Sequence, residues 1–263
     1  LKEDTLPALI GWSKEKKYPF FFITEVSINL ADDDELMRLM VEAGFNSIFV
    51  GIETPNSESL VECGKMQNLK RDLVESVNRI QRSGMLVSGG FIIGFDNDTE
   101  KVFDEQIDFI QRSGITSAMV GLLNAPTGTK LYNRLKEEGR LLEMWSGNNM
   151  DANVNFVPKM EWKNLIRGYS RLLNTLYSQE EYYNRMKVFL NEYNVPVWTP
   201  KVINLEQLKA FFRLLWLLGI IEKGKKYFWK LFFISLWKYP RKFPIAMTLA
   251  VYGFHFRRVI RTV

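Results

Sequence analysis

Strand-like and helix-like stretches alternate along the first 140 residues. The first stretch, Phe20–Asn29, is rich in Ile, Val, Thr and Phe. At Ala31-Asp32-Asp33 the pattern switches to a helix with Leu36, Leu39 and Met40 on one face. Gly44 ends that helix, and the apolar run Ser47–Ile52 predicts a second strand. Thr54-Pro55-Asn56-Ser57 supplies a turn and a cap, followed by a predicted helix over Leu69–Ser83 that Gly84 stops. Leu86–Ile93 is the third predicted strand and Asp98–Ser113 the third helix, stopped by Gly114. Thr116–Leu123 and Lys130–Glu138 complete a fourth pair. The segments Ile80-Gln81-Arg82-Ser83-Gly84-Met85 and Ile110-Gln111-Arg112-Ser113-Gly114-Ile115 are near copies. In each, a glycine can take the left-handed position that ends a helix before a strand. Such alternation, about 30 residues per unit, predicts parallel strands with right-handed crossovers. Strands apolar on both faces predict a sheet covered by helices, as in a barrel or a doubly wound sheet. Four units cannot close an eight-stranded barrel, so the expected α/β body (residues 1–143) is a half or a fragment.

Beyond it the period becomes helical throughout. Leu165, Tyr169, Leu172, Leu173 and Leu176 keep helical spacing, as do Tyr182, Met186, Phe189 and Leu190, so a helical domain is expected over residues 144–200. Asn148, Asn149, Asp151, Asn153 and Asn155 form a polar loop ahead of it, either a solvated linker or a lid on a site. Pro196–Pro200 breaks the chain. Leu205–Ile221, Tyr227–Trp237 and Ile245–Val259 then interleave Phe, Trp and Leu with Lys and Arg.

The composition is that of a folded protein, 46% hydrophobic and 25% charged. One cysteine, Cys63, excludes a disulfide framework, and with one histidine, His255, the chain builds no His or Cys metal site by itself. A Cys–His nucleophile pair is disfavoured, because His255 sits in the basic tail. No run is long and apolar enough to span a membrane, and Leu1–Lys17 lacks the apolar core of a signal peptide. A chain starting at Leu1 reads as a piece of something longer, expected in the cytoplasm. Charge divides it: residues 201–263 hold 13 Lys and Arg against Glu206 and Glu222, a net of +11, leaving −6 for the rest. A basic tail with 14 aromatic residues is expected to meet an anionic, partly apolar surface such as a membrane interface. Its high Leu and Phe content argues against nucleic acid, and packing on the body is the other reading.

Chemistry in such folds sits at the carboxyl ends of the strands. Along the first strand Glu25, Ser27 and Asn29 share one face, which either looks into solvent or lines a site. Glu53 falls at the tip of the second strand, where a carboxylate can accept from ribose hydroxyls or an ammonium group, or can cap a helix. In Gly89-Gly90-Phe91-Ile92-Ile93-Gly94-Phe95-Asp96 two glycines bracket isoleucines, a place for a flat ligand to lie on backbone, though glycines also mark bulges. The spacing is not that of a dinucleotide-binding turn.

Three stretches together resemble the second half of a radical SAM core: Phe22-Ile23-Thr24-Glu25-Val26-Ser27-Ile28-Asn29-Leu30-Ala31, Gly51-Ile52-Glu53-Thr54-Pro55 and Gly89–Asp96. The resemblance is to radical SAM proteins with a cobalamin-binding domain. Gly147-Asn148-Asn149 and Asn155-Phe156-Val157-Pro158-Lys159-Met160 resemble the helical C-terminal domain of a branch that includes hopanoid methylases. The implied fold is α/β, strands three to six of a partial (β/α)6 barrel followed by an α-helical domain. The implied cofactors are S-adenosylmethionine, a 4Fe-4S cluster and cobalamin. The family's Cys-x3-Cys-x2-Cys motif, its Gly-Gly-Glu strand and its cobalamin domain are absent, and would lie upstream of Leu1. Carried over by position, Glu25 and Ser27 face S-adenosylmethionine, and Glu53 contacts its methionyl or ribose groups. Lys65 stands where many relatives have an arginine for the carboxylate. Gly90, Ile92, Ile93 and Gly94 form the adenine platform, which often ends in Glu where this chain has Asn97. The expected activity of the full-length protein is methyl transfer or another radical reaction on an unactivated carbon of a small, lipid-like substrate; this portion alone would be inactive. A phosphate-binding barrel enzyme, with Pro126-Thr127-Gly128-Thr129 as its weak phosphate loop, and a membrane-associated binding module without chemistry are the rivals.

Overall fold

A computed structural model describes residues 2–142, 154–196 and 205–260. Four strands, β1 (Phe22–Val26), β2 (Phe45–Glu53), β3 (Leu86–Ile93) and β4 (Ser117–Leu122), pair in parallel in the order β1-β2-β3-β4. The expected α/β class and parallel sheet are borne out. Crossovers between successive neighbours run through α2 (Asp34–Ala43), then α3 (Ser57–Glu62) with α4 (Leu73–Ser83), then α5 (Lys101–Ser113). A right-handed crossover that always steps in the same direction lays every helix on the same face. The sheet therefore has two unlike faces. Ile48, Val50, Ile52, Val87, Phe91, Ile93, Ala118, Val120 and Leu122 are buried on the helix side. On the other side Ile23 is 71% and Met119 53% exposed.

Local chemistry sets the joints. Asp33 and Asp72 accept hydrogen bonds from the Leu36 and Glu75 amides at the starts of α2 and α4. Gly44, Gly84 and Gly114 end α2, α4 and α5 at φ +108°, +111° and +68°. The first strand is shorter than its composition predicts. Ser27 accepts from the Asn29 amide at 3.4 Å and caps a 3-10 turn, Ile28–Asp32, that folds Ile28 and Leu30 into the core. The helix predicted from Leu69 begins at Leu73, after a 3-10 turn at Met66–Asn68. An unforeseen helix precedes the sheet, α1 (Thr5–Glu15). It buries Leu6 and Ile10 and donates from Ser13 to the Ala43 carbonyl at 2.8 Å.

After α6 (Lys130–Glu137), α7 (Trp162–Leu176) and α8 (Gln179–Glu192) pack on α5. Gly168 makes this approach possible, since a Cβ there would lie 2.2 Å from the Phe103 ring. The Tyr177 hydroxyl donates to the Ala118 carbonyl at 2.7 Å and accepts from the Ala118 amide, while Tyr169 donates to the Val120 carbonyl at 2.9 Å. Two tyrosines thus satisfy the outer edge of β4, which would otherwise offer unpaired backbone. Arg185, fully buried, donates to Gln111 and to the Leu176 carbonyl and lies over the rings of both Tyr177 and Tyr182.

The basic segment folds into α9 (Leu205–Trp216), a π-helical turn over Leu217–Ile221, α10 (Lys225–Lys238) and α11 (Phe243–Ile260). Among these, α11 turns inward: Ala246, Met247, Leu249, Ala250 and Gly253 are buried, and the Tyr182 hydroxyl donates to the Leu249 carbonyl at 2.7 Å. No helix among the described residues is long and apolar enough to cross a membrane. Asn148, Asn149, Asp151 and Asn153 lie outside the described residues. Asn155 is buried and clamps Ala125, accepting from its amide and donating to its carbonyl at 2.8 Å each.

Candidate functional site

The bare face of the sheet and the carboxyl tips of its strands carry most of the chemistry-bearing residues. The backbone is distorted at the tip of β2. Pairing with β3 slips between Gly51 and Glu53, the Thr54 amide donates back to the Ile52 carbonyl at 2.9 Å, and Glu53 in the middle of that three-residue turn has φ +66°. A non-glycine residue there costs of order 1–3 kcal/mol, which the surroundings must repay. They do so from three sides. Asn68 donates to the Ile52 carbonyl at 3.0 Å, Gln106 donates to the carbonyls of Ile92 at 2.9 Å and Glu53 at 3.5 Å, and Lys65 donates to the Gly51 carbonyl at 3.4 Å. Strain held in this way concentrates at functional sites.

Lys65 Nζ also lies 2.9 Å from Glu53 Oε1, with the two side chains 32% and 16% exposed. The pair rests over Gly51, where a Cβ would stand 2.6 Å from Glu53 Oε1 and 3.0 Å from Lys65 Nζ. Glycine at this position is what lets an ion pair lie flat on the strand.

Glu25 sits on the same face, in register with Phe49 and exposed. Ser27 is exposed as well, but its oxygen caps the 3-10 turn. Gly51 and Gly90 are partners across β2 and β3. The space that Gly90 leaves is filled by Phe49, whose ring would stand 2.8 Å from an added Cβ. Ile92 is half-buried on this face, whereas Ile93 is fully buried on the helix side. Strand alternation separates the two isoleucines that the sequence placed on one platform. Gly94, at φ +106°, has room for a Cβ, so its backbone angle is what calls for glycine. The structure thus brings together Glu53, Lys65, Gly90 and Ile92, with Glu25 further along the face.

Sequence reasoning missed the residues that hold this geometry. Asp98 accepts from the Gly94 and Phe95 amides at 2.8 and 3.1 Å and from the Ser59 hydroxyl at 2.8 Å, fastening the turn after β3 to α3. Burial pushes its carboxyl above the usual range, opposed by those hydrogen bonds. Asp96 next door receives both Arg140 nitrogens, at 2.7 and 2.9 Å, with Arg134 and Lys159 within 3.4 and 3.6 Å. The Arg140 hydrogen bonds hold its carboxyl below the usual range. Nothing in the run Asp96-Asn97-Asp98 distinguishes these two acids from helix caps; only their partners do.

The other candidates take ordinary places. Thr129 spends its hydroxyl on the start of α6, accepting from the Tyr132 amide and donating to the Pro126 carbonyl. Cys63 is exposed, partial desolvation pushes its thiol up, and its sulfur contacts the Leu60 carbonyl at 3.5 Å. No group of three His, Cys, Asp or Glu residues is placed to hold a metal among the described residues.

Residues 129–263, just over half of the chain, match a family model described as a domain of unknown function, DUF4070. The chain is 36% identical over 262 residues to an uncharacterized methyltransferase of Synechocystis, covering 97% of this chain and 49% of that protein. It is 36% identical over 154 residues to the hopanoid C-2 methylase of Rhodopseudomonas palustris, covering 59% and 29%. It is 24% identical over 162 residues to the bacteriochlorophyllide d C-12(1)-methyltransferase of Chlorobaculum tepidum, covering 62% and 35%. The chain spans about half the length of the first of these and less of the others. The resemblance to the C-terminal portion of the hopanoid-methylase-like branch is borne out.

Proposed function

The chain belongs to the DUF4070 family, and on that premise we propose that it is the C-terminal part of a radical SAM methyltransferase that uses cobalamin. Its relatives' names carry methyl transfer; one acts on a hopanoid and one on a bacteriochlorophyllide. A polycyclic, lipid-like small molecule is therefore the proposed substrate class. The four strands would be the second half of a six-stranded partial barrel, with the bare face turned inward. The sealed edge of β4 supports this, because the sheet can then grow only beyond β1.

S-adenosylmethionine would lie on the bare face. The observation that carries this is the Glu53–Lys65 pair at the β2 tip. An α-amino acid end bears an ammonium and a carboxylate side by side, and a Glu–Lys pair offers the complementary charges. Glu53 would take the ammonium and Lys65 the carboxylate, each exchanging one ionic partner for another, so little desolvation goes uncompensated. The Phe49 ring and Ile92 would give adenine an apolar surface, and Gly90 lets Phe49 lie there. Glu25 on β1 and Ser27 just after it would face the ligand. These groups bind and orient; no side chain here is assigned to bond-making.

One cysteine does not fit a 4Fe-4S cluster, so reductive cleavage of S-adenosylmethionine and the methyl-carrying cobalamin would belong to sequence outside this chain. The test uses the protein extended upstream and supplied with iron and sulfide. It is expected to release 5′-deoxyadenosine under reduction, while the present chain stays colourless and inactive. An extended protein with no Cys-x3-Cys-x2-Cys motif, or a stoichiometric iron–sulfur chromophore in the present chain, would defeat the proposal.

A further inference from the structure

The amphipathic pattern of the basic segment does not reveal which of its helices faces outward, and the fold divides them. α11 is packed against α8 by Gly253, where a Cβ would stand 2.4 Å from the Tyr182 ring. α9 and α10 instead keep apolar rows in solvent. On α9, Leu205, Leu208, Phe212 and Trp216 recur at three- and four-residue steps, all exposed, and Ile220 and Ile221 continue the exposed run. The adjoining side of the same helix puts Phe211, Leu214 and Leu215 into or against the core. On α10, Phe233, Leu236 and Trp237 are exposed, Trp237 at 82%, and Trp229, Phe233 and Trp237 form a ladder with ring centroids 5.8 and 6.1 Å apart. Phe211 against Phe232 closes the seam between the helices, with exposed Phe212 and Phe233 next along each.

Cations border these rows. Lys209 and Arg213 lie on α9; Lys226, Lys230 and Lys238 lie on α10, and Arg241 follows it, all exposed. Among the described residues Lys226, Lys230, Lys238 and Arg241 have no carboxylate within 4.0 Å. Glu206 and Glu222 are the two acids of the whole segment. We propose that the outward rows of α9 and α10 dock this protein on an anionic lipid bilayer, aromatic side chains in the interface and lysines at the headgroups, without spanning it. Charge selects this occupant over a second copy of the chain, which would bring an equally cationic surface against the first. Aromatic and aliphatic rows edged by lysine match an interface whose inner part is apolar and whose outer part is negative. The inference stands independently of the proposed methyl transfer.

The test is flotation of the protein with vesicles of phosphatidylcholine plus phosphatidylglycerol, against phosphatidylcholine alone. Binding to the anionic vesicles is expected, weaker but not abolished as salt shortens the range of attraction from about 10 Å towards about 3 Å. Phe233→Ser with Trp237→Ser, and separately Phe212→Ser with Trp216→Ser, should each lower affinity at least about tenfold. Lys226→Gln with Lys230→Gln should lower it roughly fivefold per cation at low salt. All these side chains are exposed, so the midpoint of thermal unfolding should stay put. Tyr252→Ser on α11 should bind as the parent does. Equal binding to both vesicle types, affinity unmoved by the α9 and α10 changes, or self-association abolished by those same changes would each overturn the proposal.

Discussion

Replacing Glu53 by glycine separates the strain at the β2 tip from the chemistry of the side chain. At φ +66° a side chain costs about 1–2 kcal/mol in the left-handed region, and glycine removes that cost. Against this stand about 0.5–1 kcal/mol of extra freedom that glycine gives the unfolded chain and about 0.5–1 kcal/mol from the partly buried Lys65 pair. The terms nearly cancel, so Glu53→Gly should change stability by less than about 1 kcal/mol, or under about 4 °C in Tm for a chain of this size. Glu53→Leu keeps the backbone cost and loses the pair, so it should be the less stable of the two variants. Binding should respond quite differently. Loss of a charge-assisted contact to the ligand costs about 1.5–3 kcal/mol, roughly a ten- to 150-fold weaker Kd for S-adenosylmethionine. Differential scanning calorimetry on this chain reads the first quantity, and isothermal titration on the extended protein the second. A Glu53→Gly variant that lost more than about 3 kcal/mol of stability while binding S-adenosylmethionine normally would refute the reasoning and leave Glu53 as a structural clamp.

Two further outcomes test the supports around the site. Asp96→Asn should cost about 2–3 kcal/mol, because Arg140 loses its paired acceptor while Arg134 and Lys159 remain close by. Since Arg140 holds the folded-state carboxyl below its ordinary value, this stabilisation is complete above about pH 4 and fades as pH falls through the lowered value; unfolding midpoints across that acid range should show the slope in the parent and a weaker one in the variant. Gly253→Ala should cost about 1–3 kcal/mol by forcing Tyr182 away from α11, whereas a neutral result in chemical denaturation would mean that α11 does not pack as described.

Helix ends and strand alternation were legible because their causes are local. Asp33 and Asp72 cap amides three residues on, and Gly44, Gly84 and Gly114 adopt left-handed angles that other residues resist. Those signals suffice for four βα units in order, and the burial pattern of β3 follows from a period of two. The position of Glu53 at a strand tip was legible for the same reason. Its strained turn was not, because Gln106 and Asn68 hold it from 53 and 16 residues away. Phe49 lying over Gly90, the tyrosines on the edge of β4, and the clamp of Asn155 on Ala125 are likewise decided only when distant segments meet. The basic segment shows the division most plainly. Sequence alone determined that its helices are cationic and aromatic; which rows are spent on the core was decided by tertiary contacts, Gly253 against Tyr182 for α11, Phe211 and Leu214 for α9, and Phe228 and Leu231 for α10, because only the packed chain shows which side of each helix meets the body and which stays in solvent.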